Sequence, residues 1–77
     1  MRAYVLIDAK VGAAGSVAAG VNQLDFRDVR LVSSDVVTGP FDVITLLEAP
    51  DLDTLARFVS DQIQSINGVQ RTTTCIA

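Results

Sequence analysis

Two strand-like stretches of this chain, Arg2–Lys10 and Phe41–Ala49, carry apolar residues on both of their faces. Side chains alternate along a strand. In the first stretch Ala3, Val5, Ile7 and Ala9 therefore share one side, with Tyr4 and Leu6 on the other. In the second, Phe41, Val43 and Leu47 oppose Ile44 and Leu46. A two-layer domain covers one face of its sheet with helices and shows water a polar one. No such polar face is legible here, so the bare face is expected to meet another chain. Length sharpens the constraint. Seventy-seven residues allow one domain, 1–77, and a chain of that size removes only about 60% of its unfolded surface from water. Small domains need a staple. With one cysteine, Cys75, and no histidine, an intrachain disulfide and a conventional zinc site are both excluded. Association remains, and 49% apolar residues supply material for it. At about 25 cal/mol per Å² of apolar area, even a modest sheet-to-sheet contact matters to so small a domain.

Charge narrows the function. Six basic against nine acidic residues give a net charge of −3, which argues against direct nucleic-acid binding and against docking on an anionic membrane. No apolar run approaches the roughly 18 residues of a membrane span. The chain opens into Tyr4-Val5-Leu6-Ile7 without a basic leader and cleavage site. A soluble, reducing, cytoplasmic setting is the expectation.

Ser16–Leu24 carries Val17, Val21 and Leu24 as one helical stripe, weakened by Gly20 at about 1 kcal/mol relative to alanine. Asp28–Thr38 reads as an edge strand with mixed faces. Pro50-Asp51 offers a breaker and an N-cap carboxylate. Leu52, Leu55, Ala56, Val59, Ile63 and Ile66 then follow a helical rhythm, with Asp53, Arg57 and Asp61 along the wet side. Asn67-Gly68 supplies a left-handed stop, and β-branched threonines make Val69–Ile76 a last strand. The order is β-α-β-β-α-β. Right-handed crossovers place both helices on one face of a four-stranded antiparallel sheet, an α+β, ferredoxin-like arrangement.

Between the second and third strands lies Val37-Thr38-Gly39-Pro40-Phe41-Asp42-Val43-Ile44, a strand, a forced bend and a strand. Gly39 tolerates unusual backbone angles and Pro40 fixes its own φ. Asp42, entering an apolar strand, needs a partner. It either anchors a ligand ammonium group, while Thr38 and the bend's N–H groups receive a carboxylate, or it caps the turn or pairs with Arg30 or Arg71. Gly12-Ala13-Ala14-Gly15-Ser16 lacks the Gly-Lys-Ser/Thr ending of a phosphate loop and reads as a small-residue bend. Cys75, without a histidine to activate it, reads as ordinary strand packing. No carboxylate pair among Asp8, Asp35, Asp42 and Glu48 has a spacing that favours acid–base chemistry. The chain does not read as an enzyme, and no cofactor or metal site is expected.

Thr38-Gly39-Pro40-Phe41-Asp42-Val43-Ile44, then Glu48-Ala49-Pro50-Asp51-Leu52, Ile66-Asn67-Gly68-Val69 and Thr72-Thr73-Thr74 together resemble the effector-binding (RAM) domain of Lrp/AsnC transcription regulators. The resemblance runs from about Ala3 to the C-terminus. It implies dimers paired sheet to sheet, in the manner of dimeric α+β barrels, with Tyr4, Leu6, Ile44 and Leu46 at the interface. Such dimers commonly assemble into an octamer or decamer. It also implies an amino-acid effector held in clefts between dimers by Thr38, Gly39, Pro40, Phe41 and Asp42, with Thr72 and Thr74. Full regulators carry an N-terminal helix-turn-helix, whereas this chain starts at the first strand of the effector domain. The expectation is a stand-alone form that binds no DNA itself.

Two other readings compete. One is a ligand-independent assembly partner of full-length Lrp/AsnC regulators. The other is a small dimeric α+β-barrel enzyme, although Tyr4, Leu6, Ile44 and Leu46 look like packing rather than catalytic groups.

Overall fold

The computed structural model describes residues 1–77. Its elements are β1 (Arg2–Ala9), α1 (Ala14–Asn22), β2 (Arg30–Val36), β3 (Val43–Glu48), α2 (Leu52–Phe58) and β4 (Val69–Ile76). The strands form one antiparallel sheet in the order β2-β3-β1-β4. This is the ferredoxin-like βαββαβ topology that the element order predicts, with the strand boundaries within a few residues of their expected places. No helix is long and apolar enough to cross a membrane.

One sheet face carries the core. Ala3, Val5, Ile7 and Ala9 of β1, with Val43 and Leu47 of β3, pack in one buried cluster with Val17 and Val21 of α1 and Leu55 and Phe58 of α2. Thr45 is the one buried polar side chain, and its hydroxyl lies 3.2 Å from that of Ser34 on the neighbouring strand. Pairing one hydroxyl with another removes most of the penalty for burying it.

The second helix starts where Asp51 puts it. The Asp51 carboxylate accepts from the Thr54 N–H at 2.7 Å, and that bond holds its pKa below the ordinary aspartate value. Arg57 pairs with Asp53, one turn earlier, while Asp61 stays outside the pair. The expected single helix through Ile66 does not persist. After Phe58 the chain widens into one π-helical turn, Val59–Ile63, closed by Gln64 N–H donating to the Val59 carbonyl at 2.9 Å. Val59 and Ile63 stay buried through it, and the wider turn delivers Ile66 to α1. There Gly20 earns its place by contact: a Cβ at that position would lie 2.9 Å from Ile66 Cγ2. The left-handed residues are Gly12 at φ 80° and Gly68 at φ 101°. Gly39 is not among them, so the bend does not use the freedom expected of that glycine.

The opposite sheet face has no helix over it. Register places Tyr4 beside Leu46 and Leu6 beside Ile44, forming a central apolar square. Tyr4 is 44% exposed and Leu46 9%, so the square is uneven, with one side largely covered by its neighbours. The expectation of a wholly apolar second face needs correction. The edge strands contribute Ser33 and Asp35 from β2 and Arg71, Thr73 and Cys75 from β4, and they surround the square with polar groups. Edge strands meet water along one side, which favours polar residues there whatever covers the centre. Cys75 is exposed rather than packed.

At one end of this face Glu48 accepts from Arg2 Nε and Arg30 Nε, each at 2.8 Å. At the other end Arg71 reaches Asp8 at 3.4 Å. The two arginines hold the Glu48 carboxyl below the usual glutamate range, mainly through the Arg2 hydrogen bond. A depressed folded-state pKa adds stability that is fully present above the unfolded value and is lost as pH falls through the folded one.

Two measurements follow. Gly15, also in α1, has nothing within 4 Å of its missing Cβ. Gly15→Ala should therefore gain roughly 0.5–1 kcal/mol in denaturant unfolding at fixed protein concentration, whereas Gly20→Ala should forfeit that gain or lose stability. On acidification from about 4.5 downward, the ordinary glutamate value, the wild-type chain should lose stability more steeply than Glu48→Gln.

Candidate functional site

The bend between β2 and β3 is closed by one short bond across its base and fastened to β1 by two more. Val37 N–H donates to the Asp42 carbonyl, and Asp42 N–H to the Ile7 carbonyl, both at 2.9 Å. Ala9 N–H donates to Asp42 Oδ2 at 2.8 Å. The Asp42 side chain thus satisfies a backbone donor at the point where β1 ends and its ladder with β3 runs out. The sequence reading weighed a cap on its own turn; the oxygen instead accepts from a residue 33 positions away. Neither proposed arginine takes part: Arg30 is held by Glu48 and Arg71 by Asp8.

Fastening the base leaves the tip of the bend free. Thr38, Gly39 and Pro40 are exposed, and Phe41 and Asp42 half-buried. The N–H groups of Thr38, Gly39 and Phe41 make no hydrogen bond within the chain. Three unpaired donors around a rigid base form a surface on which an anionic group can be received. Asp42 Oδ1 likewise has no partner inside the chain.

Thr72 and Thr74 do not join them. They pair with Ile7 and Val5, which puts both hydroxyls on the helix side of the far edge strand. Thr72 accepts there from Gln64 Nε2 at 3.0 Å. Tyr4, Leu6, Ile44 and Leu46 do come together, on the open face described above. Two surface depressions, ≈ 450 and ≈ 470 Å³, lie elsewhere, along the segment leading into β2. One is lined by Asp25, Arg27, Asp28 and α2 residues such as Phe58. Neither reaches the bend. Missing from the sequence reading was the Ala9 bond. The only signal for it was an acid one residue outside an apolar strand.

Asp42→Ala should strip Ala9 of its acceptor and cost about 1–2 kcal/mol in chemical denaturation. Asp42→Asn, which keeps a carbonyl oxygen in place, should recover most of that loss. Equal losses from both would show that charge, not the hydrogen bond, fastens the bend.

Similarity to known proteins agrees with this architecture. The Lrp/AsnC ligand binding domain matches residues 3–77. No match is found among curated proteins. The structure of TTHA0845 from Thermus thermophilus superposes with a TM-score of 0.85 at 29% identity, covering 99% of this chain and 90% of that one. AsnC from E. coli gives 0.85 at 21% identity, and the chain covers 49% of its length. The transcriptional regulator NMB0573 from Neisseria meningitidis, solved as a complex with L-Met, gives 0.80 at 22% identity, with 48% of that protein covered. In both cases 99% of this chain is superposed, so it spans about half of each regulator. Matched over all but its first two residues, the chain belongs to the Lrp/AsnC ligand-binding domain family.

Proposed function

We propose that this chain is an oligomeric regulatory module that binds an amino acid at the bend Thr38–Asp42. The observation that carries the reading is the unpaired set of donors at Thr38, Gly39 and Phe41 beside a carboxylate with one oxygen committed to Ala9 and the other free. An α-amino acid presents the complementary pair, a carboxylate and an ammonium group. The bend's N–H groups receive the first and Asp42 Oδ1 the second, through charge-assisted hydrogen bonds. That a related fold in Neisseria meningitidis was solved with L-Met supports an amino acid as the class of ligand.

A second copy is part of this reading. Pairing of the open faces buries Tyr4, Leu6, Ile44 and Leu46, and further association of dimers, as an octamer or decamer, supplies the missing wall beside the bend. Family membership supports a regulatory rather than an enzymatic role. The side chains at the centre of the open face agree with that, being apolar packing groups instead of paired acids, bases or nucleophiles.

A thermal-shift screen of the twenty amino acids followed by calorimetry tests the proposal. At least one should raise the melting temperature, and Asp42→Ala should weaken its binding by tenfold or more. Silence across the set would favour an assembly partner that needs no ligand, and affinity indifferent to Asp42→Ala would overturn the role given to the bend. Leu6→Asp should convert the assembly to monomers in sedimentation velocity and abolish binding with it.

A further inference from the structure

Every arginine of this chain is paired with an acid, and its one lysine is not. Arg2 and Arg30 are held by Glu48, Arg27 by Asp25, Arg57 by Asp53 and Arg71 by Asp8. Lys10 is exposed, and its ammonium group meets no acceptor within the chain. We infer that Lys10 receives a second carboxylate from the ligand, so that the bend takes a dicarboxylic amino acid, aspartate or glutamate, in preference to its neutral amide. The inference rests on the amino-acid site proposed above and adds the class of side chain which that site selects.

The backbone of Lys10 is held on both sides. Its N–H donates to the Gly68 carbonyl at 2.8 Å, and its own carbonyl accepts from the Ala13 N–H at 2.9 Å. The second bond closes a tight turn, Lys10–Ala13, in which Gly12 takes φ 80°. One residue earlier, the Ala9 N–H is the donor that Asp42 Oδ2 accepts. Lys10 therefore stands where three connections meet: its own turn, the β2–β3 bend and the loop into β4. Backbone dimensions put the Lys10 Cα within roughly 8 Å of the Asp42 carboxylate. Ala9 and Val43 face the core, so alternation turns Lys10 and Asp42 alike to the open side of the sheet. A flexible four-carbon stem carries the ammonium group towards the bend without any change in the backbone.

The corner then offers three receivers. The free N–H groups of the bend take the ligand's α-carboxylate, Asp42 Oδ1 its ammonium group, and Lys10 Nζ a carboxylate on its side chain. A neutral amino acid satisfies the first two and leaves Lys10 unmatched. Once a neighbouring subunit walls the site, an ammonium group stripped of water needs a counter-charge, and a second ligand carboxylate supplies it. The net charge of −3 disfavours anions over the protein as a whole. Selection of an anionic ligand therefore has to come from a local cation, and Lys10 is the one side-chain cation that no carboxylate of the chain already neutralises.

Calorimetry would compare glutamate with glutamine and aspartate with asparagine on the wild-type chain, Lys10→Met and Arg57→Gln. Methionine keeps most of the length of the lysine stem and drops its charge. The wild type should bind the better acid about tenfold or more tightly than its amide, the factor that one charge-assisted hydrogen bond supplies. Lys10→Met should bring that ratio close to one. Arg57→Gln, which removes the same charge from α2, should preserve it; loss of the ratio there too would assign the preference to overall charge and overturn the inference. Equal affinity of acid and amide for the wild type, or a preference that survives Lys10→Met, would overturn it as well. Sedimentation velocity on Lys10→Met should show the wild-type assembly, whereas a smaller species would put Lys10 in a subunit contact instead of the ligand site. Silence from these four ligands while another amino acid binds would sink the inference alone. Silence from all twenty would remove the site beneath it.

Discussion

Helices cover one side of this sheet and nothing within the chain covers the other. The constraint follows from arithmetic in the fold: two short helices, α1 and α2 with its π turn, have enough apolar surface to bury one face of four strands. Val17 and Val21 from one helix and Leu55, Phe58 and Ile63 from the other region complete a core that is closed, small and one-sided. A domain with so little buried area has little stability margin by itself. The apolar square of Tyr4, Leu6, Ile44 and Leu46, ringed by ion pairs, is the place where that margin is available.

The same organisation leaves the bend, the element proposed to receive a ligand, open in one copy. The bend is rigid at its base because Asp42 closes the end of β1, and open at its tip because Thr38, Gly39 and Phe41 have no internal acceptors. Rigidity at the base limits the ordering cost of binding. Openness at the tip leaves room for a wall from another subunit. Under the proposed function, regulation has a simple physical form: a ligand seated between subunits would stabilise the assembly that contains its site and not the ones that lack it.

Much of the fold was legible in particular residues. Asp51 caps α2 as its position after Pro50 implies, Gly68 takes the left-handed turn expected after Asn67, and the alternation in Arg2–Ala9 names its buried side correctly. Where the reading departed from the structure, the cause was a contact distant in sequence. Gly20 looked like a flaw in a helix and is the floor beneath Ile66. Gly39 looked conformationally special and is not, since Pro40 and the Asp42 bonds set the bend without it. Thr72 and Thr74 looked available to a ligand, yet register turns them to the helix side. Cys75 looked packed because it lies in the last strand, but that strand is an edge and leaves it bare.

The sequence by itself determined the order of elements, the core-facing side of each central strand and the shortage of any internal staple, because periodicity, caps and composition are local properties that survive without neighbours. Only the tertiary structure decided which carboxylate meets which donor. Asp42 finds the Ala9 N–H, Glu48 gathers two arginines and Asp8 takes Arg71. Those pairings depend on strand order and register, and a register is settled when whole faces pack together, not by any residue read in isolation.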